Sequence, residues 1–175
     1  MEIEIADSEM NRSHLEADIR RYATRPVALL IVDDIAQWAA EGPRDVNGNP
    51  AATSGLDGQT GDWGIVVRRS IDRTWVENII SRVDLRFPQT RTVLSTPIRF
   101  LQHLVLHELA HLENGWGQER EDDCDAWAFD KLMQSNPAFE SGRAKSGAPA
   151  QRERWASQLP SRERLHSARR PRWKT

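Results

Sequence analysis

The residues of this chain whose types and spacing can do chemistry are His107-Glu108-Leu109-Ala110-His111. Residues four apart on an α-helix lie on one face, so the imidazoles of His107 and His111 can reach one metal ion. Glu108 is offset from His107 by about 100° around the helix. It does not fit the same ligand plane, but it can stand beside the metal and act on a water. Two ligands with an adjacent general base are the arrangement of a zinc peptidase.

A hydrolytic zinc site keeps three protein ligands and leaves one position for water. The third is expected just downstream, where residues 118–132 read as a helix with Cys124, Trp127, Ala128, Lys131 and Leu132 at helical spacing. Asn114-Gly115-Trp116-Gly117 would turn that helix back onto the first. Glu121 is the chosen ligand, because Cys124, Asp125 and Ala128 follow it at i+3, i+4 and i+7 on one face. Glu119, Asp122 and Asp123 are rivals, and Asp122 is foremost if the helix is rotated. An acidic first turn is also what the helix dipole favours by itself. Asp125 can accept a hydrogen bond from the free ring nitrogen of a ligand histidine. His103 shares the face of His107 but has no glutamate after it, and three histidines spread over two turns do not meet at one tetrahedral ion without distortion. It is expected in the core or behind a ligand. Cys124 reads as a small buried side chain.

His107-Glu-x-x-His111, a short turn and Glu121-x-x-x-Asp125-x-Trp127-Ala128 resemble the compact gluzincins of the ImmA/IrrE type. These are small bacterial and phage metallopeptidases with a Glu-x-x-Ala-Asn-x-Phe-Ala segment. The aspartate and tryptophan are also similar to Lit-like phage-exclusion peptidases. The resemblance covers about residues 97–133. It implies one zinc ion held by His107, His111 and Glu121, with Glu108 as the base. The implied substrate is a specific protein, such as a regulator or host factor. Cys124 stands where a small alanine is usual, and Asp125 replaces asparagine. A metzincin is not matched, since Asn114 and Gly117 occupy the positions of its later glycine and histidine. Tyr22, His103 and Arg99 are the candidates for a second oxyanion donor.

The elements that must position these groups can be read from caps and periodicity. The motif lies in a helix over 97–114, with Thr96 as N-cap, Pro97 in its first position and Gly115 as its stop. Apolar residues cover most of its circumference, so it should be central and buried. Upstream, Ser13 and Glu16 form a capping-box pattern before a helix over 14–23. Residues 27–40 have helical apolar spacing, with a strand over 27–32 as the rival. Residues 42–64 read as one long loop, which could flank a cleft or be a surface insertion. A strand is expected over 64–68. Asp72 caps a helix over 73–85, with Trp75, Val76, Ile79, Ile80 and Val83 inward and Arg82 outward. A second strand is expected over 91–94. In zincins an edge strand beside the active helix pairs with extended substrate, and 91–94 or 65–68 would serve. The fold class is therefore α+β: a small zincin-like domain, mostly helical, with a short sheet beside the active-site helix.

The chain has 175 residues and one cysteine, Cys124, so no internal disulfide framework is available. No apolar run approaches a membrane span, and the first residues lack the basic and apolar regions of a signal peptide. A cytoplasmic protein without membrane contact is expected. Residues 1–140, expected to form the peptidase domain, carry 14 Lys+Arg and 24 Asp+Glu. Residues 141–175 carry 10 Lys+Arg and two Asp+Glu, with Trp155 and Trp173 among arginines. That basic, Arg-rich tail suits a nucleic-acid contact, a docking arm on a partner protein or on the acidic domain, or a solvated segment. The alternative to a peptidase is an interaction or nucleic-acid-binding protein that acts through this tail and keeps the scaffold without hydrolysis. A third reading is another zinc hydrolase with the same triad.

Overall fold

The computed structural model describes residues 3–4, 9–42, 46, 50–56 and 62–134, all within one compact unit, Met1–Ser135. The basic tail at 141–175, and the partner expectations tied to it, lie outside the described residues. The domain is α+β and mostly helical, with a small three-stranded sheet. Among the described residues no helix is long and apolar enough to cross a membrane.

Strand β1 (Ile3–Glu4) pairs later in the chain with β5. Helix α1 (Glu9–Tyr22) begins before the expected position, so Ser13 lies inside it and the Ser13/Glu16 capping box is not its start. Glu16 instead pairs with Arg12 at 2.9 Å and lies 3.5 Å from Arg20, one helical turn to either side.

The helical reading of 27–40 is corrected. Its first half is strand β2 (Val27–Val32), and only its second half is helix α2 (Ile35–Ala40). The apolar run satisfied both periods, and parallel pairing with β4, Leu29 opposite Ile65, decides for the strand. Asp34 ends it by taking extended geometry and accepting the Gln37 N–H at 2.8 Å, which caps α2.

The loop over 42–64 is also corrected, because it contains strand β3 (Ala51–Gly55). β3 pairs antiparallel with β4 (Trp63–Arg68), the strand that was expected, and the sheet order is β2-β4-β3. Ala51 and Ala52 are buried on opposite faces of β3, Ala51 toward the cleft beside α5 and Ala52 against Ile35 and Val66. Strand β5 (Ser70–Ile71) follows.

Helix α3 (Arg73–Asp84) is capped by Asp72, which accepts the Trp75 N–H at 3.0 Å. Val76, Ile79, Ile80 and Val83 are buried as expected, but Trp75 is not inward and is 37% exposed. The strand expected over 91–94 is instead a helical turn, α4 (Thr90–Val93). Phe87-Pro88-Gln89 already curves the chain, and the Thr90 hydroxyl donates to the Phe87 carbonyl at 2.5 Å. With 91–94 helical and 65–68 in the central strand, the edge strand packed on the motif helix is β3.

Helix α5 (Pro97–Asn114) has the predicted bounds. Thr96 accepts the Arg99 N–H at 3.4 Å. Phe100, Leu101, Val105, Leu106, Leu109 and Ala110 are almost fully buried, because α1, α6, β3 and β4 pack around the helix. Gly115 ends it at φ 64°, where a side chain is strained, and its N–H bonds the His111 carbonyl. Gly115→Ala is expected to cost about 1 kcal/mol, read as a lowered melting temperature. A single turn at Gln118–Arg120 then leads into α6 (Glu121–Gln134), whose Cys124, Asp125, Ala128, Phe129 and Leu132 are buried.

Candidate metal centre

His107 and His111 lie one turn apart on α5, and their Nε2 atoms are 3.3 Å apart. The left-handed Gly115 reverses the chain, so the first turn of α6 meets them. Glu121 then presents Oε2 at 3.2 Å from His107 Nε2 and Oε1 at 3.3 Å from His111 Nε2. Nitrogen and oxygen ligands about 2.0–2.1 Å from zinc, at tetrahedral angles, are roughly 3.3 Å from one another. The observed separations are of that size, with one Glu121 oxygen against each ring.

The far side of each ring fixes its tautomer. His107 Nδ1 is 2.7 Å from Asp125 Oδ1, and His111 Nδ1 is 2.9 Å from the Trp116 carbonyl. An ionised carboxylate and a carbonyl only accept, so both Nδ1 atoms carry hydrogen. Each Nε2 faces Glu121, where its lone pair can bind a metal. Without a metal a proton takes that place. Burial alone would lower the His107 pKa, but hydrogen bonds to Asp125 and Glu121 outweigh it and hold it at about 9. Cys124 and Glu121 beside His111 push it up to about 11. The two imidazoles hold Glu121 far below the usual carboxylate range, against its partial burial.

These shifts set a sign for metal-free stability. Both folded pKa values exceed the ordinary histidine value of 6.5. Their contribution is fully present below that value and is lost as pH rises through about 9 and then 11. The chelator-treated chain should therefore melt roughly 5–10 °C lower at pH 10 than at pH 6.5. An unchanged melting temperature across this window would count against the paired histidines.

Glu108 is partly accessible from the cleft. The Thr53 hydroxyl on β3 lies 2.9 Å from the Glu108 carbonyl and 3.0 Å from its Oε2, close enough for its single proton to serve either oxygen. Burial raises the Glu108 pKa, and His107, His111 and Thr53 oppose that rise.

Asp125 is 2% exposed and stays ionised despite burial, chiefly through its bond to His107. His103 Nε2 is 3.4 Å from the same Oδ1, yet neither His103 nitrogen makes a hydrogen bond among the described residues. Burial depresses the His103 pKa to about 4, so its ring is neutral. It packs against His107, 5.1 Å from the Phe129 ring, as expected of a core residue.

The rivals of Glu121 point elsewhere. Asp122 pairs with Arg86 at 2.6 Å, Asp123 pairs with Arg120, and Glu119 is exposed. Sequence reasoning missed three other contributors. Arg82, expected outward, reaches Glu121 at 3.7 Å and Asp125 at 3.6 Å from α3. Thr53 lay inside the presumed loop. Cys124 is buried as expected, but its sulfur also belongs with the histidine nitrogens: donor atoms of His107, His111 and Cys124 all lie within 4.8 Å of one another. The i, i+3 spacing from Glu121 was the available signal for it.

A cleft of about 540 Å³ opens on these groups. Trp75, Asn78, Ile79 and Arg82, one face of α3, form a wall opposite His103, His107 and Glu108 of α5. A hollow of about 500 Å³ elsewhere, at the α1–β2 junction, contains no histidine. Among the proposed oxyanion donors, Tyr22 donates to the Lys131 carbonyl at 3.3 Å, and neither it nor Arg99 lines the cleft. His103 lines it, as does Arg82. Comparison with protein-family models, curated proteins and solved structures finds no match for this chain.

Proposed function

We propose that this chain is a zinc-dependent endopeptidase. The observation that carries the reading is the 3.2–3.3 Å triangle of His107, His111 and Glu121, with Glu108 beside it in an open cleft. Nitrogen and carboxylate donors of this kind suit zinc.

His107, His111 and Glu121 would hold the ion, which when bound supplies a Lewis acid that acidifies a water and polarises the scissile carbonyl. Asp125 and the Trp116 carbonyl keep both rings turned toward the site. Glu108 takes the proton from the attacking water and delivers it to the leaving amine. Its raised pKa suits both transfers, because it is a stronger base than an exposed glutamate. Thr53 holds one of its oxygens, and the other would take the proton. Arg82 is a cationic group that lines the same cleft and would face a developing negative charge. The substrate is a polypeptide, which can extend along β3, the edge strand packed on α5.

Zinc-loaded full-length chain, incubated with a mixture of quenched fluorescent peptides, should cleave at least one of them. A chelator should stop the cleavage and added zinc restore it. Stoichiometric zinc without cleavage of peptides or unfolded protein would reject catalysis and leave a metal-binding scaffold.

A further inference from the structure

We infer that Cys124 is a fourth protein ligand, and that in the substrate-free centre its thiolate takes the position a water needs. This rests on the metal-centre reading above. Glu121 and Cys124 are three residues apart on α6, so both project toward the histidine pair. The His107–His111–Glu121 triangle supplies three vertices of a tetrahedron and leaves one. The Cys124 sulfur lies within 4.8 Å of donor nitrogens of both His107 and His111, the same two rings that Glu121 faces. A thiolate about 2.3 Å from zinc would lie roughly 3.5 Å from the nitrogens, so the sulfur need approach by no more than about 1.3 Å. The side chain is 0% exposed, which shields the thiolate from solvent and from outside thiols.

The exchange balances simply. A zinc–sulfur bond forms, one water leaves the fourth position, and the thiol proton passes to solvent. Four protein donors make a closed set of the kind found in structural zinc sites. Glu108 then has no water to deprotonate, and the centre is silent until the sulfur withdraws. Cleavage proceeds through the open fraction, so the wild-type rate is a fraction of the fully open rate.

The test is X-ray absorption at the zinc edge on zinc-loaded full-length chain, beside Cys124→Ser. Wild type should show one sulfur neighbour near 2.3 Å together with nitrogen and oxygen near 2.0 Å, and the variant should lack the sulfur. Cobalt(II)-loaded wild type should show a thiolate charge-transfer band that the variant lacks. Acetohydroxamate, a probe for an open fourth position, should bind cobalt-loaded Cys124→Ser about tenfold more tightly than wild type. Stoichiometric zinc with nitrogen and oxygen neighbours alone overturns the inference and leaves the metal-centre reading intact. Failure to bind zinc overturns both. If Cys124→Ser does not fold, the wild-type absorption spectrum decides alone.

Discussion

Glu121→Ala should weaken zinc binding at least about a hundredfold, measured by competition with a chromophoric chelator. Changing a residue that only orients a ligand typically costs 10–100-fold in affinity, so loss of a ligand should cost no less. Glu121 touches both imidazoles at 3.2 and 3.3 Å, so the substitution removes one corner of the triangle and leaves the histidines intact. Metal-free Glu121→Ala should also lose some stability, because Glu121 pairs with both protonated rings, so zinc affinity is measured at a temperature where the variant is folded. Asp122→Ala and Asp123→Ala are the controls. Their carboxylates pair with Arg86 and Arg120, so zinc affinity should stay within about twofold. Asp122→Ala matching Glu121→Ala would mean that α6 is rotated relative to the histidines.

Glu108→Gln should keep full zinc occupancy and lose about a thousandfold in cleavage rate, roughly 4 kcal/mol in the barrier. The amide can still bond to the Thr53 hydroxyl, so the cleft should keep its shape. It cannot accept the proton of the attacking water. The loss should fall on the turnover number and spare the Michaelis constant, because substrate pairing with β3 does not involve that carboxylate. Equal losses of zinc and rate would instead make Glu108 a ligand.

Much of the centre could be read from the sequence because local signals agreed there. Thr96, Pro97 and Gly115 bound α5 by backbone chemistry, and the apolar period between them fixes which face carries the histidines. Once α6 folds back, the i+3, i+4 and i+7 pattern after Glu121 identifies its buried face. The failures occur where tertiary pairing overrides local pattern. Val27–Val32 fits either period until β4 lies beside it. Ala51–Gly55 has little strand propensity and is extended because β4 pairs with it. Thr53 and Arg82 act on groups 55 and more than 35 residues away, and no local pattern announces such contacts. Trp75 sits at the edge of the core period of α3, where a buried wall and a cleft wall look the same.

The two Nε2–carboxylate contacts have a consequence for charge balance. In the metal-free cleft, protonated His107 and His111 together with Arg82 set three positive charges against Glu108, Glu121 and Asp125. A divalent ion that displaces the two imidazole protons leaves the same sum. Filling a His107, His111 and Glu121 site alone would thus be an electroneutral trade of two protons for one cation, and binding the Cys124 thiolate as well would release a third proton and add one negative charge. On the proposed metal reading, the fold would form around the protons first and take up the ion afterwards, with acidity of the medium setting how readily the trade is made.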